Sequence, residues 1–255
     1  MKRVVTSLIL IPAVLYITLL GPSWLVFGAV ALCGMLCYWE YCGIAEGYGI
    51  TKLGPVGYGA GLAVLALDQD GAIFLTALAL AGISLATRSA DLAQTLPRAS
   101  AMLLGVIYIF GAWKCAILLR ESNPYWLLFA LAVNWVGDIS AYYVGKSIGT
   151  HKLAARVSPG KSWEGAAASV VASIVFGVVY LRRFAPAVTM IEAVAISAVA
   201  NVAGQFGDLA ESALKRGAGV KDSGTLLPGH GGLLDRVDST LFTLPAVYIY
   251  LRLVK

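Results

Sequence analysis

The chain has 255 residues, of which 59% are hydrophobic and 13% charged, with a formal net charge of +5. Soluble domains carry roughly a quarter charged residues, so these charges are too few for a water-facing surface and most of the exterior must face lipid. At about 20 residues per span there is no room for a separate soluble domain, which makes the fold class all-α, a polytopic transmembrane helical bundle. Apolar runs bounded by Gly, Pro or charge predict about nine membrane helices, near 4–20, 23–42, 54–67, 71–87, 101–119, 125–145, 164–181, 187–206 and 239–254.

Lys2 and Arg3 precede the first run, and no Ala-x-Ala-like site follows before Gly21-Pro22, so this run is read as a retained span. Glu40 lies near one end of the second predicted helix and is placed as a partner to a cation of the site. The third run is short and glycine-rich, and Gly57 and Gly61 allow close helix approach. Cys33, Cys37, Cys42 and Cys115 sit in or beside apolar segments and read as small apolar residues without a disulfide framework. Lys114, in the fifth run, can snorkel to the outer interface and is assigned no role. With the N-terminus placed inside, 13 of the 19 Lys and Arg residues fall on the inner side, so loops 146–163 and 207–238 are both expected in the cytosol.

The sixth predicted helix carries Asn134, Asp138 and Tyr142 at i, i+4 and i+8, a polar face inside an apolar span. In the eighth, Asn201, Gln205, Asp208, Ser212 and Lys215 step by four, three, four and three. In a bilayer such a stripe must face protein or a water-filled cavity. Between these two, Ser158-Pro-Gly-Lys161-Ser162-Trp-Glu164-Gly165 sets a lysine, a hydroxyl and an acid at the mouth of the seventh helix, without Walker A spacing.

The stretch 208–238 holds nine charged residues, Asp208, Glu211, Lys215, Arg216, Lys221, Asp222, Asp235, Arg236 and Asp238, among six glycines and His230. Glycine-rich turns and helix N-termini present N–H groups to anions. Carboxylates at the same place call for a cation between them and a phosphate, ordinarily Mg²⁺. Asp208 and Asp235, from successive helices, suit a bridging pair of metal ions. His230 reads as a hydrogen-bond donor to phosphate, because a phosphate monoester is already nucleophilic at neutral pH.

Ser212-Ala-Leu-Lys-Arg216, then Lys221-Asp222, then Pro228-Gly-His-Gly-Gly-Leu-Leu-Asp-Arg-Val-Asp238 resembles the signature of the phosphatidate cytidylyltransferases, the CDP-diacylglycerol synthases. Ser158 to Gly165 is similar to the family's Ser-Pro-Lys-Lys-Thr-x-Glu-Gly stretch, and Gly137-Asp138 with Tyr142, Gly145 and Lys146 to its Gly-Asp-x-x-Ala-Tyr segment. Gly160 stands where a basic residue is common and Ser162 where threonine is common, which bears on one cation of the nucleotide-phosphate site.

The resemblance implies transfer of CMP from CTP to phosphatidate, giving CDP-diacylglycerol and pyrophosphate in phospholipid biosynthesis. It implies Mg²⁺, as a two-metal site, and a monovalent cation such as K⁺. Metal ligands are then Asp208 and Asp235, with Asp138, Asp222 and Asp238 as further ligands or as anchors for the cations. Catalytic residues are Lys215, Arg216, Asp222, His230, Arg236 and Asp238. Substrate-binding residues are Asn134, Asp138, Lys146, Lys161, Ser162, Glu164, Ser212 and Lys221. Residues 1–120 would be scaffold with dimer contacts, and 121–255 the catalytic half. The expected partners are CTP, phosphatidate, membrane lipid and a second copy of the chain, with no nucleic acid. The setting is a cell membrane, the inner membrane of a bacterium, with the site facing the cytosol. The alternatives are a CTP-dependent lipid kinase or a cytidylyltransferase for an ether-linked archaeal lipid, and, from another class, an ion-coupled transporter with Asp138 and Asp208 as coupling sites.

Overall fold

The computed structural model describes residues 2–50, 53–67, 71–86, 91–227, 229 and 231–254, with backbone alone along 2–9, 71–75, 85–86 and 254. Among the described residues there are nine helical rods: α1 (Lys2–Leu19), α2 (Ser23–Gly47), α3 (Gly54–Ala66), α4 (Gly71–Ala86), α5 (Leu92–Ser122), α6 (Pro124–Ile148), α7 (Trp163–Phe184), α8 (Met190–Gly217) and α9 (Leu234–Val254). Five of them, α2, α5, α6, α7 and α8, are long and apolar enough to cross a membrane. With 13 residues, α3 reaches about 20 Å at 1.5 Å per residue, short of a hydrocarbon layer about 30 Å thick. The chain is an all-α polytopic membrane protein, as its composition requires.

Local chemistry fixes the starts of these helices. The Asp91 carboxylate accepts from Ala93 N at the first turn of α5, and Asn123 accepts from Tyr125 N one residue before Pro124 opens α6. Ser162 caps α7 by accepting from Gly165 N at 3.2 Å. Several helices extend further than their apolar runs, α2 to Gly47 and α5 from Leu92 to Ser122 among them, and two of these extensions bear on the site. α8 continues to Gly217 because its last turns are amphipathic rather than apolar, and α9 begins at Leu234, which puts Asp235 in its first turn. The loop 146–163 is not plain coil. It holds an antiparallel hairpin, β1 (Lys152–Ala154) with β2 (Ser158–Ser162), pairing Lys152 with Ser162 and Ala154 with Ser158.

Close packing divides the chain into two interleaved units. The first comprises Met1–Thr6, Pro22–Ile117 and Leu214–Arg236. Its core gathers Tyr38, Tyr41, Leu65, Met102, Ile109 and Phe110. A Cβ on Gly57 would run into the Tyr38 ring and one on Gly61 into the Phe110 ring, so these glycines do permit the close approach expected of them. Inside α5 the backbone loosens to a π-helical turn at Val106–Gly111, which carries Phe110. Lys114 Nζ donates to the Leu65 carbonyl at 3.0 Å, at the C-terminal end of α3, where a cation is favoured.

The second unit comprises Ser7–Gly21, Leu118–Ala213 and Val237–Lys255. Phe129, Val133, Leu181, Ile196, Ala200 and Leu244 form its core. A buried polar layer crosses that core. Asn134 Nδ2 donates to Thr243 Oγ1 at 3.0 Å, and Asn201 Nδ2 donates to Ser169 Oγ and Ser173 Oγ, both at 2.9 Å. Polar groups buried in lipid need such partners. On the other side of α7, Val171, Val175 and Val179 form an exposed apolar stripe at the i, i+4, i+8 spacing, a lipid-facing surface.

Candidate active site

Within the second unit, the polar faces of α6 and α8 and the hairpin wall a cavity of about 530 Å³ lined by Asp138, Tyr142, Gly145, Lys146, Gly160, Lys161, Ser162, Gln205, Asp208 and Ser239, among others. Lys161 Nζ lies 2.6 Å from Asp208 Oδ2, with both side chains partly exposed. The Ser212 hydroxyl donates to Asp208 Oδ1 at 3.3 Å, one helical turn on. Gln205 is aimed from behind: its Nε2 donates to Asn201 Oδ1 at 2.7 Å and to the Ala166 carbonyl at 3.2 Å. Lys146 lies over the Tyr142 ring at 5.7 Å from its centroid. A cavity with lysines and carboxylates on one wall can receive an anion on the former and a cation on the latter.

Four predicted site residues of this unit, Asn134, Glu164, Ser212 and Asp238, are not among the residues lining the cavity. Asn134 is buried in the polar layer with Thr243. Glu164, in the first turn of α7, ties down the hairpin by accepting from Thr150 Oγ1 at 2.9 Å and from His151 N at 3.2 Å, with His151 Nδ1 at 2.6 Å. Asp238 accepts from the Ser239 amide at 2.6 Å.

The first unit holds a second charged cluster, nearly closed to solvent. Lys215 Nζ donates to Asp235 Oδ1 at 2.5 Å, with the two side chains 9% and 6% exposed. The Asp235 carboxylate also accepts from the amides of Ser223, at 3.1 and 3.0 Å, and Gly232, at 2.8 Å. Beneath it lies Glu40 of α2, 2% exposed. Glu40 meets the Ser223 hydroxyl at 3.0 Å and the amides of Leu233 and Leu234 at 2.9 and 2.7 Å, so these partners are a hydroxyl and a helix start rather than the cation its sequence position suggested. Arg216 donates to the Val220 carbonyl at 3.1 Å. Lys221, Asp222 and Arg236 are exposed. His230 and Pro228 lie outside the described residues, as do Lys52, Arg88 and Lys255 of the charge count.

Ser223, Ser239 and Gln205 join the predicted site residues, and Glu211 is fully buried in α8. Gln205 was visible in the polar stripe. Ser223 and Glu40 meet across 183 positions of chain, which no local pattern reveals.

No group of three or more His, Cys, Asp or Glu side chains gathers among the described residues. Two carboxylates, Asp138 and Asp208, nevertheless line one cavity together with Ser162 and Ser239. This is a hard-oxygen donor set that fits Mg²⁺, which binds by one or two carboxylates and completes its shell with water and substrate phosphates.

A profile of the cytidylyltransferase family matches residues 1–254. The chain is 35% identical to a phosphatidate cytidylyltransferase of Pseudomonas aeruginosa over 96% of its own length and 94% of that enzyme. It is 42% identical to a phosphatidate cytidylyltransferase of Bacillus subtilis over 59% of the chain and 57% of that enzyme. With one of Staphylococcus saprophyticus it shares 37% identity over 58% of the chain and 57% of that enzyme. The match of the profile along nearly the whole chain, on a membrane-spanning helical fold with a charged cavity, shows that the chain belongs to the cytidylyltransferase family.

Proposed function

We propose that this chain is a phosphatidate cytidylyltransferase, an enzyme that transfers CMP from CTP to phosphatidate and releases pyrophosphate. The observation that carries the reading is the cavity in which Asp138, Lys146, Lys161 and Asp208 meet on the polar ends of membrane helices. A tetra-anionic nucleotide needs cations, and a lipid headgroup needs a polar recess reached from the bilayer.

A phosphatidate oxygen attacks the α-phosphorus of CTP, the new P–O bond forms, and the bond to the β-phosphate oxygen breaks as pyrophosphate leaves. Lys161, held at 2.6 Å by Asp208 but partly exposed, is free to turn toward an incoming phosphate. Lys146 supplies a second cation at the wall, and the Ser162 hydroxyl a polar contact. Lys215, Arg216, Lys221 and Arg236 neutralise the triphosphate by the signature they belong to, with Asp222 and Asp238 as anchors and His230 as a phosphate donor. Asp208, with Asp138 beside it on the wall, would hold Mg²⁺; Asp235 is a ligand by the signature alone, and K⁺ is the candidate monovalent ion. Bound there, Mg²⁺ would stabilise charge on the departing pyrophosphate. Loops 146–163 and 207–238 face the cytosol, where CTP is found, residues 121–255 form the catalytic half, and the working form is a homodimer.

The test uses detergent-solubilised protein with phosphatidate in mixed micelles. Label from the α-phosphate of CTP is expected in the lipid product. Label from the γ-phosphate instead would make the protein a lipid kinase. For sidedness, a cysteine at exposed Thr225, in a background lacking Cys33, Cys37, Cys42 and Cys115, should resist an impermeant reagent added to intact cells.

A further inference from the structure

A carboxylate in a membrane-length apolar helix is costly unless its oxygens are satisfied. In Glu40 they are, and the donors all come from one short segment. Oε1 accepts from Leu233 N at 2.9 Å, while Oε2 accepts from Leu234 N at 2.7 Å and from Ser223 Oγ at 3.0 Å. The Ser223 hydroxyl passes the connection on: it donates to Glu40 and accepts from Asp235 N at 3.3 Å. Ser223 N in turn donates to the Asp235 carboxylate that receives Lys215. The loop is shaped around Glu40, since a Cβ on Gly224 or Gly232 would stand 2.7 or 2.5 Å from its oxygens. A helix start can be capped by a serine or aspartate next to it. Here the acceptor lies 193 and 194 positions away, which ties α2 to the segment that aims Asp235.

We propose that Glu40 is a positioning residue for the reaction, orienting Asp235 and Lys215 through Ser223 and the first amides of α9, a role that rests on the reading that Asp235 and Lys215 serve the transfer. Glu40→Gln keeps the shape but withdraws the charge and one of the two acceptor oxygens. The expected result is a kcat lower by about tenfold to a hundredfold, the usual size for an outer partner of a site group, with KM for CTP within about twofold. Hydrogen exchange in a peptide covering 231–236 should quicken. Ser223→Ala should act similarly, and the double variant should lose no more than the worse single one, because both cut the same connection. Glu40→Asp should recover part of the kcat. Faster exchange with wild-type kcat would reduce Glu40 to a helix cap and overturn the proposal. So would a loss of activity that merely tracks loss of folded protein. Asp235→Asn separates this from the underlying reading: wild-type turnover there removes Asp235 from the reaction, whereas lost turnover there beside an unaffected Glu40→Gln sinks the Glu40 proposal alone.

Discussion

Two lysine–carboxylate pairs of almost equal length have opposite surroundings. Lys215 and Asp235 meet at 2.5 Å with side chains 9% and 6% exposed; Lys161 and Asp208 meet at 2.6 Å with 26% and 31%. The buried pair is held from several sides, by the amides of Ser223 and Gly232 on Asp235 and by Glu40 beneath the loop. The open pair has a cavity in front of it and the Ser212 hydroxyl on Asp208 behind it. Fixing two charges out of water costs several kcal/mol per ion and keeps their geometry. Leaving them half in water costs little and lets either partner be exchanged for a ligand. The first pair is therefore read as a fixed part and the second as a receiving part.

Removing the carboxylate of the open pair should have the largest effect on chemistry. Asp208→Asn preserves size and hydrogen bonding but not the charge a divalent ion needs. Turnover should fall on the order of a thousandfold or more, about 4 kcal/mol of barrier, while the melting temperature stays close to wild type. Near wild-type rates at limiting Mg²⁺ would take Asp208 out of the metal site.

Cutting the lysine of each pair should invert the pattern. Lys215→Met leaves a buried carboxylate with less compensation, a change that costs about 3–5 kcal/mol when a buried pair is broken. It should lower both kcat and thermal stability. Lys161→Met breaks a half-exposed pair, worth about 0–1 kcal/mol, so stability should hold and the KM for CTP should rise. Equal stability losses in the two variants would erase the distinction drawn between the pairs.

The open pair was the more legible of the two in the sequence. Asp208 stands in a polar stripe of period 3.6 on an otherwise apolar helix, and Lys161 in a turn beside a helix start, so both announced themselves by contrast with their neighbours. The helix count was legible for the same reason, since lipid demands continuous apolar runs. In the closed cluster Lys215 and Asp235 were legible from the same stretch, but what surrounds them was not. Glu40 reads in the sequence as a partner to a cation, because its actual partners, a hydroxyl and two helix-start amides, are set by tertiary packing across most of the chain. The hairpin at 152–162 was missed because its register has an irregularity between Lys152 and Ala154 and its strands are three and five residues long, too short to show alternation. The ends of α8 and α9 were misjudged because apolarity marks where a helix meets lipid and not where its hydrogen bonds stop.

A lysine outside both pairs gives a smaller, sharper contrast. Lys221 is exposed on the bend that follows Gly219, whose φ is 75°. If it clamps the nucleotide after entry, Lys221→Met should raise the KM for CTP about tenfold, one lost charge-assisted contact, and leave kcat and melting unchanged. A change in kcat instead would place Lys221 among the fixed groups.

The smallest expected effect is the absence of one. Burial disfavours the charged form of Asp235, which lies in the first turn of α9 ahead of its apolar run, but the hydrogen bond from Lys215 and those from Gly232 and Ser223 outweigh it and hold the carboxyl below its ordinary range. A group whose folded pKa is depressed stabilises the fold fully above its unfolded value, about 3.9 for aspartate, and loses that contribution as pH falls through the lower folded value. The melting-temperature difference between wild type and Asp235→Asn should therefore stay flat from about pH 8 to about pH 5 and shrink only below about pH 4. Using the difference cancels the other carboxylates, which titrate alike in both proteins. In the Lys215→Met background the same difference should begin to shrink at higher pH, because the donor that favoured the anion is gone while burial remains. A difference that already narrows between about pH 7 and about pH 5 in the otherwise wild-type protein would mean that Asp235 takes up a proton there. The closed pair would then be a titrating group, and the contrast with the open pair would fail at its fixed end.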